Sequence, residues 1–217
     1  MTKKQIKLTG ILALLGATLM FIGDMLLYFT SEPITNFQEE IVPVMGNISP
    51  TRLIIGGALG PIAAGLYIIG YYQIYMAIKP QFKTMGKVIL AILSFGIIYG
   101  GSFHAFFPML GFMSSTGSSE ALVLAESYSI TIFNLMFIPS LLAYLLLTYL
   151  ILTRKTYYPR WIIAISPFFL FWLSPLVQQL PQPFMMIIAG GWSNIIFILF
   201  FSISTLTLMK NNYDESN

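Results

Sequence analysis

Long runs of apolar residues alternate with short polar stretches along the chain. Six of these runs are long enough to cross a bilayer, because about 20 helical residues span its hydrocarbon core. They lack the short, alternating segments of a membrane β-barrel. The pattern therefore predicts an all-α, polytopic transmembrane helical bundle that forms a single domain over residues 1–217. The six predicted spans are approximately residues 8–29, 51–78, 87–113, 127–153, 161–180 and 184–209.

The composition agrees with lipid as the natural solvent. Of the 217 residues, 57% are hydrophobic and only 9% are charged, whereas soluble domains carry about 25% charged residues. The chain has no cysteine, which excludes disulfides and thiolate chemistry. It has one histidine, too few for a usual zinc site, so we predict neither a metal nor a cofactor.

The basic residues favour one side of a six-span topology, and this asymmetry sets the predicted orientation. The other side carries one basic residue, Arg52, together with Glu32, Glu39, Glu40, Glu120 and Glu126. Cytoplasmic loops are enriched in Lys and Arg, so both termini are predicted to be cytoplasmic, in a bacterial plasma (inner) membrane. The net charge of +3 then reflects topology and not nucleic-acid binding. The basic residues on the cytoplasmic side are Lys3, Lys4, Lys7, Lys79, Lys83, Lys87, Arg154, Lys155, Arg160 and Lys210.

Small residues at a spacing of four mark helix faces that can pack closely. In the second span they are Gly56, Gly60 and Ala64, where another helix, including one from a second copy of the chain, can approach. In the third span the same spacing leads through Gly100 to His104. His104 is therefore predicted to face the interior of the bundle and not the surrounding lipid.

Three polar residues are predicted to share one layer of the bundle. Asp24, His104 and Asn194 each lie about 16 residues, roughly 24 Å of helix, from the cytoplasmic end of a span. Because a titratable group inside a membrane is costly, Asp24 and His104 are candidates for a catalytic acid–base pair. Structural roles stay open: Asp24 can bond a hydroxyl such as that of Tyr28, and His104 can be a satisfied core residue.

Further polar residues near this level are candidates for ligand binding, and several also have structural explanations. Arg52 can anchor its helix at the interface, Glu126 is favourable at a helix start, and Trp192 suits a membrane–water boundary. The cytoplasmic half of the bundle, in contrast, is predicted to be almost purely apolar. The candidate ligand-binding residues are Arg52, Glu126, Asn134, Ser174, Gln178, Trp192 and Asn194.

Four motifs carry a resemblance over nearly the whole chain. They are Gly23-Asp24 followed by Met-Leu-Leu-Tyr, Arg52 ahead of the 56–61 segment GGALGP, His104, and the 190–194 segment GGWSN. This combination resembles an uncharacterised bacterial family of six-span inner-membrane proteins of unknown function, which implies the fold but no activity. The Gly-Asp motif is also similar to the membrane lysoplasmalogenases. Those are eight-span bundles with further acidic residues that this chain lacks, so no catalytic residue is carried over.

Three functions are compatible with the sequence, and whether the protein is an enzyme stays open. The first is an outer-leaflet-facing polar pocket that binds, and could process, a lipid-like or small amphipathic molecule. The second is a small transporter or permease, proton-coupled or dimeric, against which the apolar cytoplasmic half argues. The third is a non-catalytic accessory or sensor subunit. Membrane lipid is the partner common to all three.

Overall fold

The computed structural model describes residues 2–210 of the chain, and within this range it is helical without a β-strand. A 3₁₀ helix also occurs at Pro80–Phe82, at Arg160–Ile165 and at Phe171–Leu173, and a π-helical turn occurs at Met185–Ala189. The α-helices are α1 (Lys3–Tyr28), α2 (Phe37–Gly46), α3 (Pro50–Met76), α4 (Lys83–Phe106), α5 (Pro108–Thr116), α6 (Ser119–Leu152), α7 (Pro167–Leu170), α8 (Ser174–Val177) and α9 (Trp192–Lys210).

Five helical segments have the length and apolar composition needed to cross a membrane. They are α1, α3, the Pro80–Thr116 segment that contains α4 and α5, α6 and α9. The prediction of a helical membrane protein is confirmed at this level. Helix α6 is about 51 Å long, which exceeds a hydrocarbon core of about 30 Å.

The predicted fifth span, residues 161–180, is not one continuous helix. The segment consists of the Arg160–Ile165 3₁₀ helix, α7, a second 3₁₀ helix and α8. Pro167 breaks the helix because a residue before proline avoids the α conformation. Ser166 accordingly has an extended backbone, with φ −68° and ψ 147°.

Contacts at the two ends of the bundle show the relative directions of the long helices. At one end, the Gln73 side chain of α3 donates to the Ile6 carbonyl of α1 and the Thr205 hydroxyl of α9. At the other end, Asn194 of α9 bonds Asp24 of α1. Ile78, just after α3, pairs with Thr156, just after α6. Residues 153–191 therefore run the length of the bundle in short helical pieces.

Glycines let α3 pack closely against α1 and α4. A methyl group added at Gly56 would lie 3.0 Å from Leu27 Cγ of α1, and one added at Gly60 would lie 2.5 Å from His104 Cβ of α4. Ala64 is buried. The face of Gly56, Gly60 and Ala64, predicted as a contact with a second copy, is therefore covered by helices of the same chain.

The connection between α1 and α3 caps the outer end of the bundle through α2. Ile41 and Met45 of α2 are buried in a cluster with Leu27 and Leu53. A methyl group on Gly111 of α5 would lie 3.1 Å from Met45 Cβ, so α2 and α5 pack tightly together.

A hydrogen-bonded carboxylate at the start of α2, that of Glu40, should make the stability of this helix depend on pH. Glu40 Oε1 accepts hydrogen bonds from Asn36 N and Thr35 N, both at 2.7 Å, and these bonds lower the pKa of its carboxyl. Since the folded pKa is lowered, the bonds stabilise α2 above the unfolded pKa and are lost as pH falls through the folded pKa. We expect Glu40→Gln to speed amide exchange at residues 35–40 at neutral pH, and the difference from wild type to vanish in acid.

The matched control is Glu39→Gln in the same helix turn, because it removes an equal charge from the helix N-terminus and leaves intact the charged carboxylate that accepts those bonds. Hydrogen exchange read by mass spectrometry at matched pH compares the variants. Equal exchange in Glu40→Gln and Glu39→Gln at neutral pH would contradict the assignment.

Candidate functional site

Asp24 lies on the buried face of α1 and receives hydrogen bonds from two other helices. Its Oδ1 atom is 3.2 Å from His104 Nε2 of α4, and its Oδ2 atom accepts from Asn194 Nδ2 of α9 at 2.6 Å. Because a carboxylate only accepts hydrogen bonds, Nε2 is the protonated nitrogen in this contact. The three residues predicted to share a layer therefore meet in one cluster.

Asn194 is oriented by a fourth helix. The Tyr67 hydroxyl of α3 donates to Asn194 Oδ1 at 2.7 Å, which turns the amide nitrogen toward Asp24. Tyr67 is 1% exposed, so this bond lies inside the core. The Asn194 amide and the His104 imidazole therefore bond one carboxylate, which offsets the cost of burying it, while the Tyr67 hydroxyl orients the amide.

The His104 ring is held between two glycines on different helices. A methyl group added at Gly23 of α1 would lie 2.6 Å from His104 Cε1, and one at Gly60 of α3 would lie 3.0 Å from Nδ1. Nδ1 is buried, and no hydrogen-bond partner for it occurs among the described residues. The prediction that His104 faces the interior is confirmed. The imidazole ring fits at this position because Gly23 and Gly60 have no side chains.

A cavity of about 230 Å³ adjoins this cluster. It lies between α4 and α6 on one side and α1, α3 and α9 on the other, and the broken 167–171 segment completes its wall. Asp24, His104 and Asn194 provide the polar end, while most other lining residues are apolar or aromatic. The aromatic residues that line it are Tyr28, Tyr67, Tyr71, Phe103, Phe133, Phe137, Tyr144, Phe168, Phe171 and Phe197.

Three phenylalanines of the cavity wall lie on α6 and on the 167–171 segment. Phe133, Phe137 and Phe171 are half-buried, with ring centroids 5.5 Å apart for the first pair and 4.8 Å for Phe137 and Phe171. These rings therefore form an aromatic part of the wall between α6 and the 167–171 segment.

The glycine-rich segment before α9 is fixed by side chains from elsewhere in the bundle. The Tyr28 hydroxyl donates to the Gly190 carbonyl at 2.6 Å, and the Trp192 indole nitrogen donates to the Leu170 carbonyl at 3.1 Å. Trp192, predicted as a ligand-binding residue, thus ties α9 to α7 and does not line the cavity. The Tyr28 hydroxyl, which donates to this backbone carbonyl, also interacts with the Asp24 carboxylate as expected.

Arg52 is also separate from the cavity, although it was predicted to bind ligand. Its Nη2 atom donates to the Met25 and Phe29 carbonyls at 2.7 and 2.6 Å. These carbonyls are at the C-terminal end of α1, where a cation is favoured by the helix dipole and satisfies unpaired acceptors. Arg52 therefore fixes the end of the helix that carries Asp24.

Four other predicted ligand-binding residues do not line the cavity. Glu126 lies within α6, which begins at Ser119 and not near Glu126 as expected, and Asn134 is exposed on the same helix. Gln178 donates to the Ser174 hydroxyl at 3.2 Å. Of the predicted site residues, the structure therefore brings together Asp24, His104 and Asn194.

The half of the bundle that was predicted to be cytoplasmic is not purely apolar, and the expectation of an apolar interior there is wrong. Gln73 is 0% exposed and bonds Thr205 and Ser204 of α9 at 3.0 and 3.2 Å. Ser204 also lies 2.7 Å from the Tyr158 hydroxyl. A second buried polar network therefore connects α3, α9 and the connection after α6.

Three tyrosines that line the cavity, Tyr67, Tyr71 and Tyr144, were not among the residues predicted from the sequence. Tyr67 and Tyr71 continue the face of Gly60 and Ala64 at helical spacing, so the small-residue pattern could have identified them. Tyr144 and the phenylalanines of α6 offered no such signal, because that helix is apolar on every face.

Comparison with known proteins identifies the family of the chain. A family described as "Family of unknown function (DUF6796)" matches residues 1–211, and the chain belongs to this family. A search of curated proteins and a search of solved structures found no match.

Gly60 and Gly65 of α3 have very different surroundings, and substituting each of them tests the close packing of α3 against His104. Gly60→Ala would push a methyl group into His104, and such overpacking costs about 1–3 kcal/mol. At Gly65 an added methyl group meets nothing within 4 Å, so Gly65→Ala should stabilise α3 by about 0.5–1 kcal/mol through helix propensity. Unfolding in detergent micelles compares the two, and equal effects would refute the close contact.

Proposed function

We propose that the protein binds a lipid-like or small amphipathic molecule in the cavity beside Asp24. The observation that carries this proposal is the convergence of three hydrogen-bonding side chains at one end of a largely aromatic cavity. A polar head can reach the Asp24 end while an apolar chain extends along Phe133, Phe137 and Phe171. Sites of this kind, mostly apolar with a few convergent polar groups, are typical of small-molecule binding.

The cavity is proposed to face the outer leaflet of a bacterial plasma membrane. Residues 153–191 run between opposite ends of the bundle, which supports a sixth crossing beside the five membrane-length helices. With six crossings both termini lie on one side, and the basic residues at that end favour the cytoplasm. Asp24 is about 25 Å along α1 from Lys7, which corresponds to the outer part of the bilayer.

The same geometry supports binding more strongly than acid–base catalysis by Asp24 and His104. His104 Nε2 is engaged with Asp24, and Nδ1 is buried against Gly60. A general base needs to lie within hydrogen-bond reach of the proton that it abstracts. Asp24, whose side chain is 13% exposed, is the ionisable group of the pair better placed to contact a bound molecule.

Transport is a second candidate function, favoured by the buried Gln73 network. The main argument against transport was an apolar cytoplasmic half, and Gln73, Ser204 and Tyr158 instead place polar groups there. A separate cavity of about 270 Å³, lined in part by Gln5, Tyr72 and Lys83, lies at the same end. These features would serve release toward the cytoplasm.

Neighbouring leucines on α6 test the binding proposal. Leu141 lines the cavity, whereas Leu142 is 59% exposed on the outside of the helix. We expect Leu141→Trp to fill the cavity and remove the bound amphiphile, and Leu142→Trp to keep it. Native mass spectrometry of protein extracted in detergent measures co-purified molecules, and fluorescence titration with dodecyl maltoside in lipid nanodiscs measures affinity.

Thermal unfolding of both tryptophan variants provides the folding control. The proposal fails if wild-type protein carries no amphiphile and binds none. It fails equally if Leu141→Trp, folded as well as Leu142→Trp, binds with the affinity of wild type.

The transport candidate predicts proton flux that depends on Gln73. In proteoliposomes containing a pH-sensitive dye, Gln73→Leu should reduce flux under an imposed pH gradient, because it removes the hydrogen bonds that link α3 and α9. Gln178→Leu, outside both cavities, is the matched control. Flux equal to that of protein-free liposomes would eliminate proton coupling.

A further inference from the structure

We infer that the molecule bound in the cavity is a cationic amphiphile with a single quaternary ammonium head and one alkyl chain. This inference rests on the proposed binding function and names the ligand class. It follows from the charged residues and the aromatic rings that line the cavity.

The charged residues that line the cavity favour a cationic ligand. Asp24 is the sole carboxylate among the described lining residues, and no Lys or Arg is among them. With His104 neutral, the pair carries one negative charge. A fatty acid or a phosphate head would meet repulsion from Asp24 and find no positive side chain to offset it, whereas one ammonium group balances the charge.

The rings beside Asp24 suit the same head. Tyr28, Tyr67 and Phe103 line the cavity together with the carboxylate, and Tyr67 is held edge-on by Phe197 at a centroid distance of 5.0 Å. Aromatic faces attract cations through the ring quadrupole, and quaternary ammonium groups are recognised in this way by aromatic cages. Such a head needs no hydrogen bond, which agrees with an Asp24 carboxylate already engaged by His104 and Asn194.

A phosphocholine head fits less well, because its phosphate would share the cavity with the Asp24 carboxylate, and no Lys or Arg among the described lining residues offsets that repulsion. The inference therefore separates single-charge cationic amphiphiles from zwitterionic phospholipids.

Three probes with the same alkyl chain test the inference: dodecyltrimethylammonium, dodecanoate and dodecyl maltoside. Each is titrated calorimetrically into protein in zwitterionic nanodiscs, with empty nanodiscs as the baseline for partitioning. We expect dodecyltrimethylammonium to bind about tenfold or more tightly than the other two. Asp24→Asn should abolish this preference, and Glu126→Gln, which removes a carboxylate outside the cavity, should leave the preference intact.

The outcomes separate this inference from the function on which it rests. Binding of all three probes with equal affinity, or preference for dodecanoate, overturns the cationic ligand while the binding function stands. Failure of every probe to bind overturns both. The preference is measured on wild-type protein, so the inference stays testable even if Asp24→Asn does not fold.

Discussion

The close approach of α1, α3 and α4 around the His104 ring is the constraint on which the rest of the site depends. Gly23 and Gly60 leave room for the imidazole where any side chain would collide with it. That room lets His104 Nε2 reach Asp24, and Asn194 then completes the cluster from α9. Since protein interiors are packed almost without voids, a shift of one helix would displace every residue of the cluster.

Burial of Asp24 links this packing to function. An ionised carboxylate inside a bundle is stable only when donors surround it, and here the donors come from three other helices through His104, Asn194 and, behind Asn194, Tyr67. This arrangement leaves part of the carboxylate facing a cavity whose other walls are mainly aromatic. The charge therefore has a structural cost that a ligand in the cavity can offset, which is why we assign the cluster to binding.

Much of this organisation could be predicted from sequence, and the failures have physical causes. Helical rise placed Asp24, His104 and Asn194 at one depth, and glycine spacing turned His104 inward, because both depend on local geometry. The broken 160–177 segment was predicted as one helix, since apolar composition is insensitive to how Ser166-Pro167 and Ser174-Pro175 divide it. Arg52 was wrongly predicted to bind ligand. Its partners are backbone carbonyls of α1, and hydrogen bonds to the backbone have no sequence signature.

The contact between His104 and Asp24, on which our account depends, can be measured directly by NMR. His104 is the one histidine, so protein labelled with ¹⁵N-histidine gives the imidazole signals of this site alone. Our account predicts that Nε2 carries a proton in a strong hydrogen bond at neutral pH, and that Asp24→Ala removes this bond. An imidazole protonated at Nδ1 alone, or exchanging freely between tautomers and unaffected by Asp24→Ala, would contradict the cluster and the binding site built on it.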